Sequence, residues 1–309
     1  MQVHQPDLEQ LAGTHYNLAR AYWDHLGGNK AENIEQVINH AGKALEFYTY
    51  GSAPEDWAFL HSRLGAAYQE RLQGNPVENL EQAVKHTELS LKVYERQTYP
   101  QYWAAAQFTL GETIQKSTRG DRAENIEKAI SYYMHSLQVF TRQDFPRQWA
   151  VTQRSLAFAY EDRMRGERAE NIGRAIEHYR QALEVYTRPA YPEQWADLQN
   201  CLALAFRKRS QDKRPEDLDL ALQCCMAALE VHTRQAYPDK WAEHELLFGM
   251  LLMEHKHGDR AAYVGQAIQH FRAALEVITE ADYPEIWPGI QAALAAAIRE
   301  QEQGKTGAR

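Results

Sequence analysis

Histidine and cysteine are the side chains through which this 309-residue chain would do nucleophilic or metal chemistry, and it carries 13 of the first and three of the second. His40, His86, His178 and His270 share one register of a repeating pattern, with Tyr132 and Cys224 in the same register between them. Successive members lie a whole repeat apart, about 10 Å at helix-packing distance. One zinc, with ligand bonds of ~2.0–2.1 Å to nitrogen, cannot gather them, so packing or capping is the expected role. His255 and His257, with His244 nearby, form the other candidate metal set. Residues two apart on a helix face different ways, and no metal is expected there. Cys225 stands where other repeats place a core aromatic, which suits a small buried hydrophobe. Cys201 and Cys224 belong to no motif that would set a histidine beside a nucleophilic sulfur. The sequence has no phosphate-cradling glycine loop, no Gly-x-Ser-x-Gly and no His-Glu-x-x-His. The reading is a non-enzyme without cofactor.

Composition narrows the partners. With 34 Lys and Arg against 42 Asp and Glu, the formal charge is −8, which repels a phosphate backbone, so no nucleic acid is expected. No apolar run approaches the ~20 residues that span a bilayer. The segment Met1-Gln-Val-His-Gln-Pro6 has no basic stretch followed by an apolar one. Three cysteines are too few for a disulfide framework. No membrane association is expected, and the expected location is the cytoplasm.

The elements that must position these groups are set by a fixed beat. Trp57, Trp103, Trp149, Trp195, Trp241 and Trp287 follow one another at intervals of 46 residues, each three residues after a proline (Pro54 to Pro284). Gly28, Gly74, Gly120, Gly166, Gly258 and Gly304 keep the same step, broken only at Asp212. A tryptophan present in every unit serves packing, which every unit needs, rather than ligand stacking. Within one unit, Pro54 opens a helix with apolar residues at Leu60, Leu64, Ala67, Tyr68 and Leu72. Gly74 suits the left-handed residue that closes it. Asn75-Pro76-Val77-Glu78 reads as a capping box, repeated at Asn29…Glu32, Asp121…Glu124 and Glu167…Glu170. A second helix carries Leu80, Ala83, Val84, Thr87, Leu91 and Tyr94 and stops before Tyr99-Pro100. The spacing predicts two helices of roughly 20 residues per unit and no strands. One pair cannot cover its own apolar stripes, so pairs must stack.

Leu64-Gly65-x-x-Tyr68 with Ala83-x3-Thr87-x2-Ser90 resembles the tetratricopeptide repeat. So do Leu156-Ala157-x-x-Tyr160 with Ala175-x3-Tyr179-x2-Ala182, and Leu202-Ala203-x-x-Phe206 with Ala221-x3-Cys225-x2-Ala228. Leu18-Ala19-x-x-Tyr22 and Ala267-x3-Phe271-x2-Ala274 extend the likeness over nearly the whole chain. Here the step is longer than the family's usual one, which predicts that both helices are extended. The units also look like the long repeats of bacterial multidomain proteins, where such arrays sit beside a CHAT protease or a signalling NTPase. The resemblance implies an all-α, right-handed α-solenoid, a TPR-like superhelix of about six helix pairs and a C-terminal capping helix. As one domain over 1–309, its repeats fall at about 7–53, 54–99, 100–145, 146–191, 192–237 and 238–283. The capping helix covers 284–303, and its tail from Gly304 to Arg309 is expected to be mobile.

In that architecture the first helix of each pair lines the inside. Carried over by register, the inward positions are Tyr16, Arg20 and Trp23, then Ser62, Ala66 and Gln69, then Phe108, Glu112 and Gln115. Arg154, Phe158 and Glu161 follow, then Asn200, Leu204 and Arg207, then Leu246, Met250 and Met253, and last Ala292, Ala296 and Arg299. Large apolar entries are an odd choice for a wet face; methionines adapt to a guest, and aromatics with arginine anchor interfaces. The implied function is a protein- or peptide-binding scaffold or sensor, with Arg154 and Arg207 available to an acidic group. Alternatives stay open. The side chains fill a tightly wound interior, the superhelix holds a small molecule or modified substrate for a partner enzyme, or the array self-associates through an uncapped end. A carboxylate clamp is disfavoured, because Ala66, Glu112, Phe158, Leu204 and Met250 stand where it needs asparagine.

Overall fold

The computed structural model describes residues 5–25, 29–210, 216–256 and 258–307. Gly28, Asp212, His257, Met1–His4 and the last two residues of the tail lie outside them. All regular structure among the described residues is helical: α1 (Gln5–Asp24), α2 (Lys30–Leu45), α3 (Pro54–Glu70), α4 (Pro76–Ser90), α5 (Pro100–Lys116), α6 (Arg122–Ser136), α7 (Pro146–Glu161), α8 (Arg168–Leu183), α9 (Pro192–Ser210), α10 (Asp217–Leu229), α11 (Pro238–Glu254), α12 (Arg260–Leu275) and α13 (Trp287–Gly307). They form two compact units, Met1–Arg165 and Gly166–Arg309. In each, antiparallel pairs stack on their neighbours as an α-solenoid does.

The helix starts follow from local chemistry. Proline occupies the first turn of α3, α4, α5, α7 and α11, where its missing N–H costs nothing. Asn29, Asn75, Asp121 and Asp259 cap the second helices by accepting from backbone N–H groups two or three residues on. Glu167 makes no such bond; its longer side chain lacks the reach-back geometry of Asn or Asp. Gly74, Gly120, Gly166 and Gly258 have φ of 79 to 89°, each immediately before the N-cap residue of a second helix. α13 runs through Gly304 to Gly307.

Two boundaries differ from expectation. The second helices are shorter than 20 residues: α4 spans 15 and α6 spans 15. After Ser90 the turns tighten, with Lys92 N–H bonding to Leu89 O and Val93 N–H to Ser90 O. A hydroxyl-built reversal follows, seen clearly where Thr141 Oγ1 donates to Asp144 Oδ2 at 2.8 Å and accepts from the Asp144 N–H. Part of the repeat's length therefore lies in connectors such as 91–99. Tyr94 is buried there, so the apolar stripe reports burial beyond the end of the helix. The capping helix starts at Trp287, not Pro284, because Pro288 has no N–H to give residue 284 and its ring would clash with that carbonyl.

Close packing fixes the pairs. A Cβ on Gly111 of α5 would lie 2.7 Å from the Tyr133 ring of α6, and one on Gly249 of α11 2.6 Å from Phe271 of α12. Side-chain latches hold the loops. Asn33, Asn79 and Asn125 donate to the carbonyls of His25, Gln73 and Arg119 at 2.7–2.8 Å. In the repeat lacking the glycine, Asp217 takes that register and receives two bonds from Arg209, at 2.6 and 2.8 Å. Within the first unit, α1 touches α3, α3 touches α5 and α5 touches α7, more extensively than the second helices touch one another among the described residues. The first helices therefore form the tighter, inner layer of that unit.

Candidate binding face

The inward series divides sharply once side chains are placed. Tyr16 packs its ring 5.0 Å from Phe59 and 6.0 Å from Tyr48, joining α1 to α3. Arg20 is exposed beside Asp24 at 3.7 Å, and Trp23 is half-buried beneath the Arg63 guanidinium. Phe108 is half-buried against Tyr133. Glu112 accepts from Gln69 Nε2 at 2.8 Å. Arg207 is not available to a guest: its guanidinium donates to Glu254 at 2.5 and 2.9 Å. Asn200, Met250 and Met253 are half-buried and Leu204 is exposed. Phe158 is 42 % exposed. Arg154 is half-buried, and its Nε is enclosed with no hydrogen-bond partner among the described residues.

Three members of the series, Glu112, Gln115 and Phe158, meet at a cavity of about 550 Å³ between α5, α6 and α7. Ser155, Tyr133, Arg122 and Asp162 complete its walls, with Lys116, Ser117 and Thr118. Tyr133 donates to Gln115 Oε1 at 2.9 Å. Burial, with Glu112 nearby, pushes the phenol well above its usual range, so it stays a neutral hydroxyl. Arg122 bonds to Asp162 at 2.9 Å and to the Gln115 carbonyl, tying α6 to α5 and α7. The cavity thus offers an apolar floor, fixed hydroxyls and charge at the rim, which is the makeup of a recognition site.

The register argument finds Gln115 but not Tyr133, Arg122, Ser155 or Asp162, which come from a second helix or from other faces. It also misses Arg63. The signal was present: that register otherwise holds Asn17, Thr109, Ser155, Cys201 and Leu247, so a lone arginine stands out.

The histidines serve packing. His15 and His40 share a hydrogen bond of 2.8 Å, His61 and His86 one of 2.7 Å, and His232 and His244 one of 2.8 Å. Burial holds His61, His86 and His244 down at about 4, helped in His61 and His244 by the partner ring. His270 bonds to Glu245 at 2.6 Å. Burial pushes the Cys224 and Cys225 thiols up to about 11 and about 12, the opposite of an activated nucleophile. Among the described residues no three His, Cys, Asp or Glu side chains converge as a metal would require. The tryptophans are half-buried, with Arg96, Arg188 and Arg234 from the connectors 5.5–5.7 Å over Trp103, Trp195 and Trp241. No described helix is long and apolar enough to cross a membrane.

No family model matches the chain, and no curated protein matches it. It is similar to BtubC (BKLC) from P. vanneervenii, known from a crystal structure, with 16% sequence identity and a TM-score of 0.46 over 88% of this chain and 93% of that one. The helix pairs themselves make the chain a helical repeat protein.

Proposed function

We propose that the chain is a non-catalytic, tetratricopeptide-like binding module, a cytoplasmic scaffold or sensor that holds a segment of a partner protein on the inner face of its first unit. One observation carries this reading: the exposed Phe158 ring lies on a 550 Å³ cavity, with the orphaned Arg154 one helical turn before it. An apolar anchor pocket beside an arginine with an unused donor is the usual centre of an interface. Nothing in the site activates a nucleophile, which favours binding over catalysis. The negative total charge disfavours nucleic acid, and a protein or peptide is the partner that fits.

The cavity's volume also falls in the range that small ligands occupy, which favours, as a second reading, a small molecule held for a partner enzyme. Selection of peptides from a random displayed library, followed by titration of the winner, separates the two. Phe158→Ala with Arg154→Ala should weaken a true ligand at least tenfold without changing the melting temperature. Undiminished affinity in the double variant rejects the site.

A further inference from the structure

Arg63, on α3, differs from the half-buried arginines that hold ion pairs. Arg71, Arg163 and Arg209 each meet a carboxylate through two hydrogen bonds. Arg63 has no ion pair among the described residues, and its Nε is enclosed without a hydrogen-bond partner. Its guanidinium carbon lies 4.8 Å from the Phe59 ring and 5.4 Å from Trp23. Tyr16 packs on Phe59, and Tyr94 and Tyr102 stack at 4.7 Å. All three phenols are close enough for Arg63 to feel them electrostatically. Asp24, the carboxylate it senses, already sits beside Arg20.

Aromatic faces attract a cation but accept few hydrogen bonds, so the enclosed Nε–H is poorly served. A half-buried cation without an ion pair is costly to keep. Tyr102, whose phenol Arg63 feels, is 48 % exposed.

We propose that Arg63, set against the rings of Trp23 and Phe59 with the Tyr16 and Tyr102 phenols nearby, is a binding site for a single carboxylate carried on an apolar body. The planar fork of the guanidinium matches a carboxylate, and the rings receive the apolar part. One positive charge balances one negative charge, which suits a carboxylate better than a dianionic phosphate. The site stands apart from the Phe158 cavity, so each can fail without the other.

The test is fluorine NMR of 4-fluorobenzoate, with uncharged 4-fluorobenzamide as control, at millimolar concentration on the whole chain. The benzoate line should broaden several-fold more than that of the amide. Arg63→Met, which keeps the stem between the rings, should return it to the free linewidth, Arg63→Lys should keep part of the effect, and Phe158→Ala should leave it unchanged. Circular dichroism checks the fold of each variant; should Arg63→Met unfold, the lysine variant with Tyr102→Ala carries the comparison. Equal broadening of acid and amide, or broadening that survives loss of Arg63, overturns the proposal. The peptide acetyl-Asp-(4-fluoro-Phe)-amide run in parallel tells the source: stronger Arg63-dependent binding of the peptide supports a protein segment, and of the free acid a small metabolite.

Discussion

Arg71 and Glu35, 36 residues apart in the chain, meet through two parallel hydrogen bonds of 2.8 Å that tie α3 to the second helix of the preceding pair. Arg163 and Glu127 repeat the arrangement two helix pairs further along the chain. Both pairs are about three-quarters covered, so the attraction is screened less than in the exposed Lys128–Glu124 pair. A double-mutant cycle with Glu35→Gln and Arg71→Met should give a coupling of about 1 kcal/mol. The same cycle on Lys128 and Glu124 should give a few tenths of that. Equal couplings would remove the latch from the account of how pairs register.

The Arg209–Asp217 pair stands in for a lost glycine. Asp217 is 2 % exposed, and removing Arg209 leaves its carboxylate buried with no cation. Arg209→Met should therefore destabilise the second unit by about 3 kcal/mol, measured by urea unfolding. Arg209→Met with Asp217→Asn, which restores the asparagine of the other repeats, should recover much of the loss.

Gly111→Ala places a methyl group 2.7 Å from the Tyr133 ring. Alanine's helix propensity favours the change by about 1 kcal/mol, but overpacking costs about 1–3 kcal/mol. A net loss near 1 kcal/mol is expected, and Tyr133→Phe should not relieve it, since the clash is with the ring. Tyr133→Leu should.

Acid should loosen the histidine pairs. In each, one ring nitrogen must accept, so the pair cannot hold a proton on both facing nitrogens. For His61, His86 and His244 the folded value, about 4, lies below the ordinary 6.5. Between those values the unfolded chain binds more protons, so stability is complete above about 6.5 and falls as pH drops toward 4. Because one proton must be shared within each pair, the loss is about 2 kcal/mol per pair. Thermal unfolding from pH 7.5 to 5 should show it, and His86→Gln should flatten the slope; a pH-independent melting temperature would refute it.

Much of this was legible from Pro54, Gly74 and Trp57 and their successors, because each answers a local backbone or packing need that recurs in every unit. What was not legible depends on partners far along the chain. The stripe through Leu91 and Tyr94 predicts burial correctly but cannot tell a helix from a tightened turn. The register that aims Arg207 inward is silent about Glu254, 47 residues on, which takes it. Tyr16 shares a register with Phe108, yet it is spent on packing against Phe59, while Phe158 in the next inward register is 42 % exposed. A residue's direction follows from periodicity, whereas its availability follows from its neighbours.

The most direct test is hydrogen exchange of the chain with and without the best displayed-library peptide. Slowed exchange confined to the Glu112–Thr118 and Arg154–Asp162 segments is the predicted result. Protection on the outer surfaces of α4 and α6 instead, with those segments unchanged, would contradict a binding face built on the first helices.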